Sequence, residues 1–159
     1  MQITAGKILT SSATMDDPNF NRSVILITEY NEGGAMGFVI NKVFVRPLNA
    51  LVEFSSSPAF PLYYGGPVDT EHLFFIHRHH ELIPGGIKIS EDIYLGGDFA
   101  KAVSLINNKV LDTTAIKIFV GYCGWDAGEL ETELEEGSWN MTEAGAGIAF
   151  DEDIDALLT

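Results

Sequence analysis

Two apolar runs, Val24 to Tyr30 and Ala35 to Asn41, flank the tetrapeptide Asn31-Glu32-Gly33-Gly34. The first run is rich in β-branched residues, whose stiff side chains suit a pleated surface. A Gly-rich break between two such runs is the signature of a β-hairpin. This feature constrains the fold most, because it commits the start of the chain to an antiparallel pair. Lys7 to Thr10 forms a first strand ahead of it. Asp16-Asp17-Pro18-Asn19 makes the intervening turn, with Pro presetting φ and Asp or Asn bonding locally to the backbone.

Further along, Pro47 to Phe54 carries Leu48, Leu51 and Val52 at helical spacing with Pro near its start, and predicts a short helix. Ser55-Ser56-Ser57-Pro58 is a loop. Leu62 to Tyr64 and Leu73 to His77 read as strands, and Ile87 to Ile89 and the Tyr94 region as short extended pieces. Asp98 is placed to N-cap a helix to about Asn107, with Phe99, Val103 and Ile106 as its buried stripe. Thr114 to Val120 is a strongly apolar strand. Asp126 to Glu136 predicts a second helix, capped by Asp126, stopped by Gly137 and buried through Leu130 and Leu134. Ile148 to Phe150 predicts a last strand and Asp151 to Leu158 a short helix. Strict β-α-β alternation occurs only from Asp98 to Val120. The expected class is therefore α+β (mixed α/β): a mostly antiparallel mixed sheet with flanking helices in one domain, residues 1–159.

At 159 residues, such a domain buries roughly 70% of the surface its unfolded chain exposes, so it needs no disulfide or metal to hold a core. Cys123 is the one cysteine, which rules out an intramolecular disulfide and fits a reducing compartment. The nine Lys and Arg residues are scattered, with no two adjacent, against a formal net charge of −14. Nucleic-acid affinity comes mainly from clustered Lys and Arg on phosphates, so no nucleic-acid partner is expected. Anionic membrane surfaces are disfavoured on the same ground. The start of the chain lacks a signal-peptide apolar run, and no stretch approaches a membrane span. These features give a cytoplasmic expectation.

Several residues could carry chemistry. Gly121-Tyr122-Cys123-Gly124-Trp125-Asp126-Ala127-Gly128 sits between the strongest strand and a helix, where loops often build sites. The alternative is structural, with Gly setting turns and Tyr122 and Trp125 packing. Gly65-Gly66-Pro67-Val68 could present backbone N–H groups but lacks the Lys and hydroxyl of a phosphate-binding loop. Gly33-Gly34-Ala35-Met36-Gly37 is a look-alike without the Lys. Cys123 could be a nucleophile if a base or cation lowered its pKa; a small buried cysteine is the plainer reading. On a strand, His77 and His79 would share a face, as two metal ligands must, although His77-Arg78-His79-His80-Glu81 lies in a turn region where adventitious binding is the simpler account. Arg22 could pair with a carboxylate, internal or from a ligand. Asn41 could contact a ligand or bond to the turn backbone. No cofactor is implied.

Three segments carry a resemblance. The first runs from Gly6-Lys7-Ile8-Leu9, through Asp17-Pro18-Asn19-Phe20-Asn21-Arg22-Ser23-Val24, to Gly34-Ala35-Met36-Gly37-Phe38-Val39-Ile40-Asn41. The second is Tyr63-Tyr64-Gly65-Gly66-Pro67-Val68. The third is Gly121 to Glu131 followed by Glu133-Leu134 and Gly137-Ser138-Trp139. In this order they resemble the AlgH/YqgE-like family of bacterial proteins. The resemblance implies a bulged mixed β-sheet with helices packed around it and a cytoplasmic bacterial setting. It brings no established reaction; one family name is associated with regulation of exopolysaccharide production. The chain departs from the pattern at Tyr30, where His is frequent, and at Glu129, where Gln is frequent. Its C-terminus is expected to be shortened.

The resulting expectation is a small-molecule- or protein-binding module, regulatory in character and without direct DNA binding. Its candidate positions are Arg22, Asn41, Gly65, Gly66, Pro67, Tyr122, Trp125 and Glu129. The alternatives are a hydrolase- or transferase-type enzyme using Cys123 or a His77/His79 metal site, and an oligomeric interaction protein forming homo-oligomers.

Overall fold

The computed structural model describes residues 2–158. Nine strands form one sheet: β1 (Ile8–Ser11), β2 (Val24–Asn31), β3 (Gly34–Val39), β4 (Leu62–Tyr64), β5 (Val68–His77), β6 (Ile87–Ser90), β7 (Ile93–Leu95), β8 (Ile116–Asp126) and β9 (Trp139–Met141). Their order is β6-β7-β5-β8-β3-β2-β1-β9, with β4 also pairing β8. The β4/β8 pair is parallel and the other pairs are antiparallel. Two helices, α1 (Phe99–Asn107) and α2 (Glu129–Glu135), pack on the sheet. The fold is thus the expected single α+β domain with a mostly antiparallel sheet.

The hairpin forms as its sequence dictates: Asn31 pairs Gly34 and Ile25 pairs Val39, with a bulge between Ile27 and Glu29. The bulge puts one extra residue on β2 and sharpens its twist. Alternation along β2 sends Val24 and Leu26 to one face and Ile25 and Ile27 to the other. All four are fully buried, so the sheet is covered on both sides. Each such side chain contributes roughly 1.5–3 kcal/mol by leaving water. One face is covered by α1 and α2. Asp98 caps α1 by accepting a hydrogen bond from the Lys101 N–H at 3.1 Å. The opposite face is covered by the C-terminal segment, through Ala146, Ala149 and Ile154.

β8 is the organising strand. One edge pairs β5 over most of its length, interrupted by a bulge between Val68 and Leu73. The other edge pairs β4 at Ile118–Val120 and then exchanges it for β3 at Cys123–Asp126. The exchange happens at Gly121, whose φ is +74°. Phe119 lies in the cluster under the C-terminal segment, whereas Cys123 and Trp125 lie in the cluster under α2. All three are odd-numbered, so the inside–outside alternation reverses at Gly121. A Cβ there would stand 2.3 Å from the Gly66 carbonyl oxygen, which makes glycine obligatory for both space and conformation.

Five local expectations are corrected. The Gly121–Asp126 run is not a strand-to-helix loop but the second half of β8. It pairs with β3, where Gly34 faces Asp126, Gly124 faces Met36 and Gly37 faces Cys123. Asp126 is therefore not the cap of α2; that position is Gly128, with no side-chain cap bond. Pro47–Phe54 is not one helix but two 3₁₀ turns, Leu48–Ala50 and Val52–Phe54, separated by an extended Leu51. A segment this short cannot offset the cost of helix nucleation. Ile148–Phe150 belongs to a 3₁₀ turn, Ala146–Phe150, rather than a strand. The outer edge of β1 is already taken by Trp139–Met141, a strand too short to announce itself in sequence. The helix expected at Asp151–Leu158 is a 3₁₀ run, Ile154–Leu158.

Candidate functional site

Lys117 sits near the start of β8 between Ile116 and Ile118, on the face covered by the C-terminal segment, and is only 5% exposed. Its ammonium donates to the Ile40 carbonyl at 2.6 Å and the Ala149 carbonyl at 2.8 Å. It also stands 3.9 Å from the centroid of the Tyr63 ring, a cation–π contact. Among the described residues no carboxylate comes within ion-pair distance of it. Burial pulls its pKa down to about 7, because a low-dielectric surrounding penalises the charged form. Near neutral pH the amine is therefore divided between ammonium and free base.

This amine lines a cavity of about 240 Å³. Ile40 just after β3, Tyr63 on β4, Phe60, Ile116 and Ile154 supply apolar wall. Asn41 and Thr113 add uncharged polar groups, and the rim carries Asp151, Glu152, Asp153 and Asp155 from the C-terminal segment. Asn41 is the hinge of the site. Its side-chain oxygen accepts from the Val24 N–H at 3.0 Å, and its amide donates to the Arg22 carbonyl at 3.1 Å and to Asp155 at 2.7 Å. It thereby ties the β2/β3 end to the acidic rim. Arg78 holds the same segment, donating to the Gly147 carbonyl at 3.1 Å and lying 4.6 Å over the Phe150 ring.

The other candidates fall elsewhere. Gly65 and Gly66 are buried against β8, and an added Cβ on Gly66 would meet the Tyr122 carbonyl at 2.2 Å. The Gly65 N–H and carbonyl bond to Val120 and Val39, both at 2.8 Å, so these groups hold three strands together. Pro67 is exposed beside them. Tyr122 packs edge-on against Phe74 with ring centroids 5.4 Å apart. Trp125 donates its indole N–H to Glu133 at 3.1 Å, and Trp139 donates to the same carboxylate oxygen at 2.8 Å. Glu129 accepts from the Asp126 N–H at 2.5 Å, a role that an amide oxygen would fill as well. Arg22 has an exposed side chain beside a separate hollow lined by Ser11, Met15 and Leu158, and no ion pair to it forms among the described residues. Of the expected positions, only Asn41 reaches the Lys117 cavity.

Cys123 is fully buried, its thiol donating to the Gly65 carbonyl at 3.3 Å, and burial pushes its pKa up to about 12. A thiol held there carries almost no thiolate at neutral pH, and the thiolate is the nucleophile. Both ring nitrogens of buried His77 are occupied: Nδ1 accepts from the His79 N–H at 3.1 Å, which leaves Nε2 to donate to the Gly96 carbonyl at 3.0 Å. Desolvation lowers its pKa, favouring this neutral form. His79 turns to Glu81 at 2.9 Å. No group of three metal-binding side chains occurs among the described residues.

Lys117 escaped the sequence reading because Thr114 to Val120 reads as an apolar strand with one tolerated charge. The available signal was that charge itself. A lysine in the middle of a run apolar on both alternations has no solvent face to occupy once the strand is central.

The AlgH-like family model matches residues 8–159. A UPF0301 protein of Chlorobaculum tepidum is 35% identical over 152 residues, covering 96% of this chain and 81% of that protein. A UPF0301 protein of Chlorobium limicola is 39% identical, covering 94% and 80%. The solution structure of the AlgH protein from Pseudomonas aeruginosa superposes with a TM-score of 0.76 at 28% identity, covering 99% of this chain and 89% of that one. A crystal structure from Corynebacterium diphtheriae shares the fold at a TM-score of 0.75 and 20% identity. No described helix is long and apolar enough to cross a membrane. With its motif segments, its bulged sheet and a family match spanning nearly the whole sequence, the chain belongs to the AlgH-like family.

Proposed function

We propose that this protein is a small-molecule-binding module whose ligand enters the cavity beside Lys117. The observation that carries this reading is a buried amine on a cavity wall with no carboxylate partner among the described residues. Burying a charge costs several kcal/mol, and an apolar residue would fill the same strand position without that cost. Perturbed ionisable groups in hollows concentrate at functional sites. The volume, about 240 Å³, lies below the roughly 300 Å³ at which drug-sized ligands begin, so the ligand is small. The C-terminal segment forms one wall, so occupancy alters how that segment sits and gives a regulatory module a means of reporting its ligand. The net charge of −14 argues that any regulation passes through ligand or protein contacts rather than through direct binding of DNA.

The test is a fragment screen read by protein-detected NMR. Binders should shift signals of Asn41, Tyr63, Lys117 and Ala149 together, and Lys117→Met should weaken them by about tenfold or more, the worth of one charge-assisted hydrogen bond. Fragments that bind only at the other hollows, with affinities indifferent to Lys117→Met, would remove the reading.

A further inference from the structure

We propose that Lys117 Nζ forms a reversible imine with small aldehydes or ketones, uncharged or cationic, in the cavity it lines. This rests on the binding reading above and adds a covalent step to it. Four observations support it. The amine's residue lines a cavity whose wall mixes apolar side chains (Ile40, Phe60, Ile116, Ile154) with polar ones. Among the described residues no carboxylate holds it in the ammonium form, and its pKa of about 7 makes free base abundant at neutral pH. The Ile40 and Ala149 carbonyls accept two of its three hydrogens, and the nitrogen's remaining close neighbour is the Tyr63 ring at 3.9 Å, itself on the cavity wall. The rim carboxylates Asp151, Glu152, Asp153 and Asp155 select against anionic carbonyl compounds.

The step balances without a further reactant. The ammonium first gives one proton to solvent. The lone pair of the neutral amine attacks the carbonyl carbon, the C=O π pair moves to oxygen, and proton transfer gives a carbinolamine. Water then leaves as the C=N bond forms, and hydrolysis reverses the sequence. A protonated imine keeps one N–H, which the Ile40 carbonyl at 2.6 Å is placed to accept. The charged and titratable groups facing this amine are the four rim carboxylates on the C-terminal segment and the Tyr63 phenol on β4, whose own pKa burial raises.

Butanal and cyanoborohydride test this on the intact chain, with peptide mapping of the secondary amine left by reduction. Six lysines compete: Lys7, Lys42, Lys88, Lys101, Lys109 and Lys117. At pH 7 the expected result is butylation of Lys117 at least about tenfold faster than of exposed Lys101, following the larger free-base fraction, with pyruvate labelling Lys117 far less than butanal does. Labelling at Lys117 should level off above pH 7. Lys117→Arg, which keeps the charge, should lose only that modified peptide. Uniform labelling across the lysines, or none at Lys117, overturns the imine. If butanal still shifts the NMR signals of Asn41 and Tyr63 in that case, the binding reading survives it; if those signals stay still for every fragment, both fall.

Discussion

At the scale of single residues, the balance at Lys117 decides the chemistry. Two carbonyl dipoles and a ring face offset part of the desolvation cost, and the remainder shows as the pKa near 7. An unfolded lysine titrates near 10.4. Between these values the unfolded chain binds more protons than the folded one, so stability rises with pH across that window. Urea titrations at pH 6.5 and 9.5 should show wild type gaining on the order of 3 kcal/mol relative to Lys117→Met over this interval. The difference isolates Lys117 from His72, His77 and Lys42, which the variant retains. Equal pH slopes for the two proteins would mean that the amine is not held as described. Cys123 shows the opposite outcome of burial, since the same desolvation that frees the Lys117 lone pair keeps the thiol protonated. Sequence marked Cys123 and passed over Lys117, because residue type is visible in a sequence and dielectric is not.

Among the elements, β8 and α2 explain why the Gly121–Glu136 segment carries so distinctive a composition. Gly121 reverses the phase of β8, which turns Trp125 toward α2. Glu133 on α2 then accepts both indole N–H groups, from Trp125 and from Trp139 on β9. One carboxylate oxygen thus joins a central strand, an edge strand and a helix. Glu133→Leu strands two largely buried donors and should cost about 2–4 kcal/mol, with tryptophan emission changing as the indoles lose their partner. Glu133→Gln keeps an acceptor oxygen and should retain most of the stability. Thermal melts followed by fluorescence separate the two; equal losses would assign the effect to charge rather than to the unpaired indoles. The hairpin, the Asp98 cap and the Leu130/Leu134 seam were legible because each depends on neighbours within a few residues. The Gly121 run was misread as a loop because its extended conformation depends on β3, over eighty residues earlier in the chain.

Across the whole molecule, the two faces of the sheet are covered differently. Helices cover one face; short 3₁₀ turns from Ala146 to Leu158 cover the other, over Lys117. These turns lack a sheet ladder and are held by apolar contacts and by side chains of Lys117, Arg78 and Asn41. Such a segment opens at a lower free energy than a central strand. Hydrogen exchange should therefore show amides of residues 146–158 exchanging at least about a hundredfold faster than those of Ile116–Val120, and a cavity ligand should slow the first set selectively. Equal protection would make the segment part of the global unfolding unit and leave no lid to report a ligand. What the sequence determined by itself was the class: apolar runs of strand length, glycine-rich turns and two capped or seamed helices act locally, and they commit the chain to an α+β sheet. The tertiary structure alone decided where the site lies. It brings Ile40, Tyr63, Lys117 and Ala149 together from four separate segments and buries Lys117 among them, and the resulting low dielectric, a property of the assembled fold, converts an ordinary lysine into a candidate reactive amine.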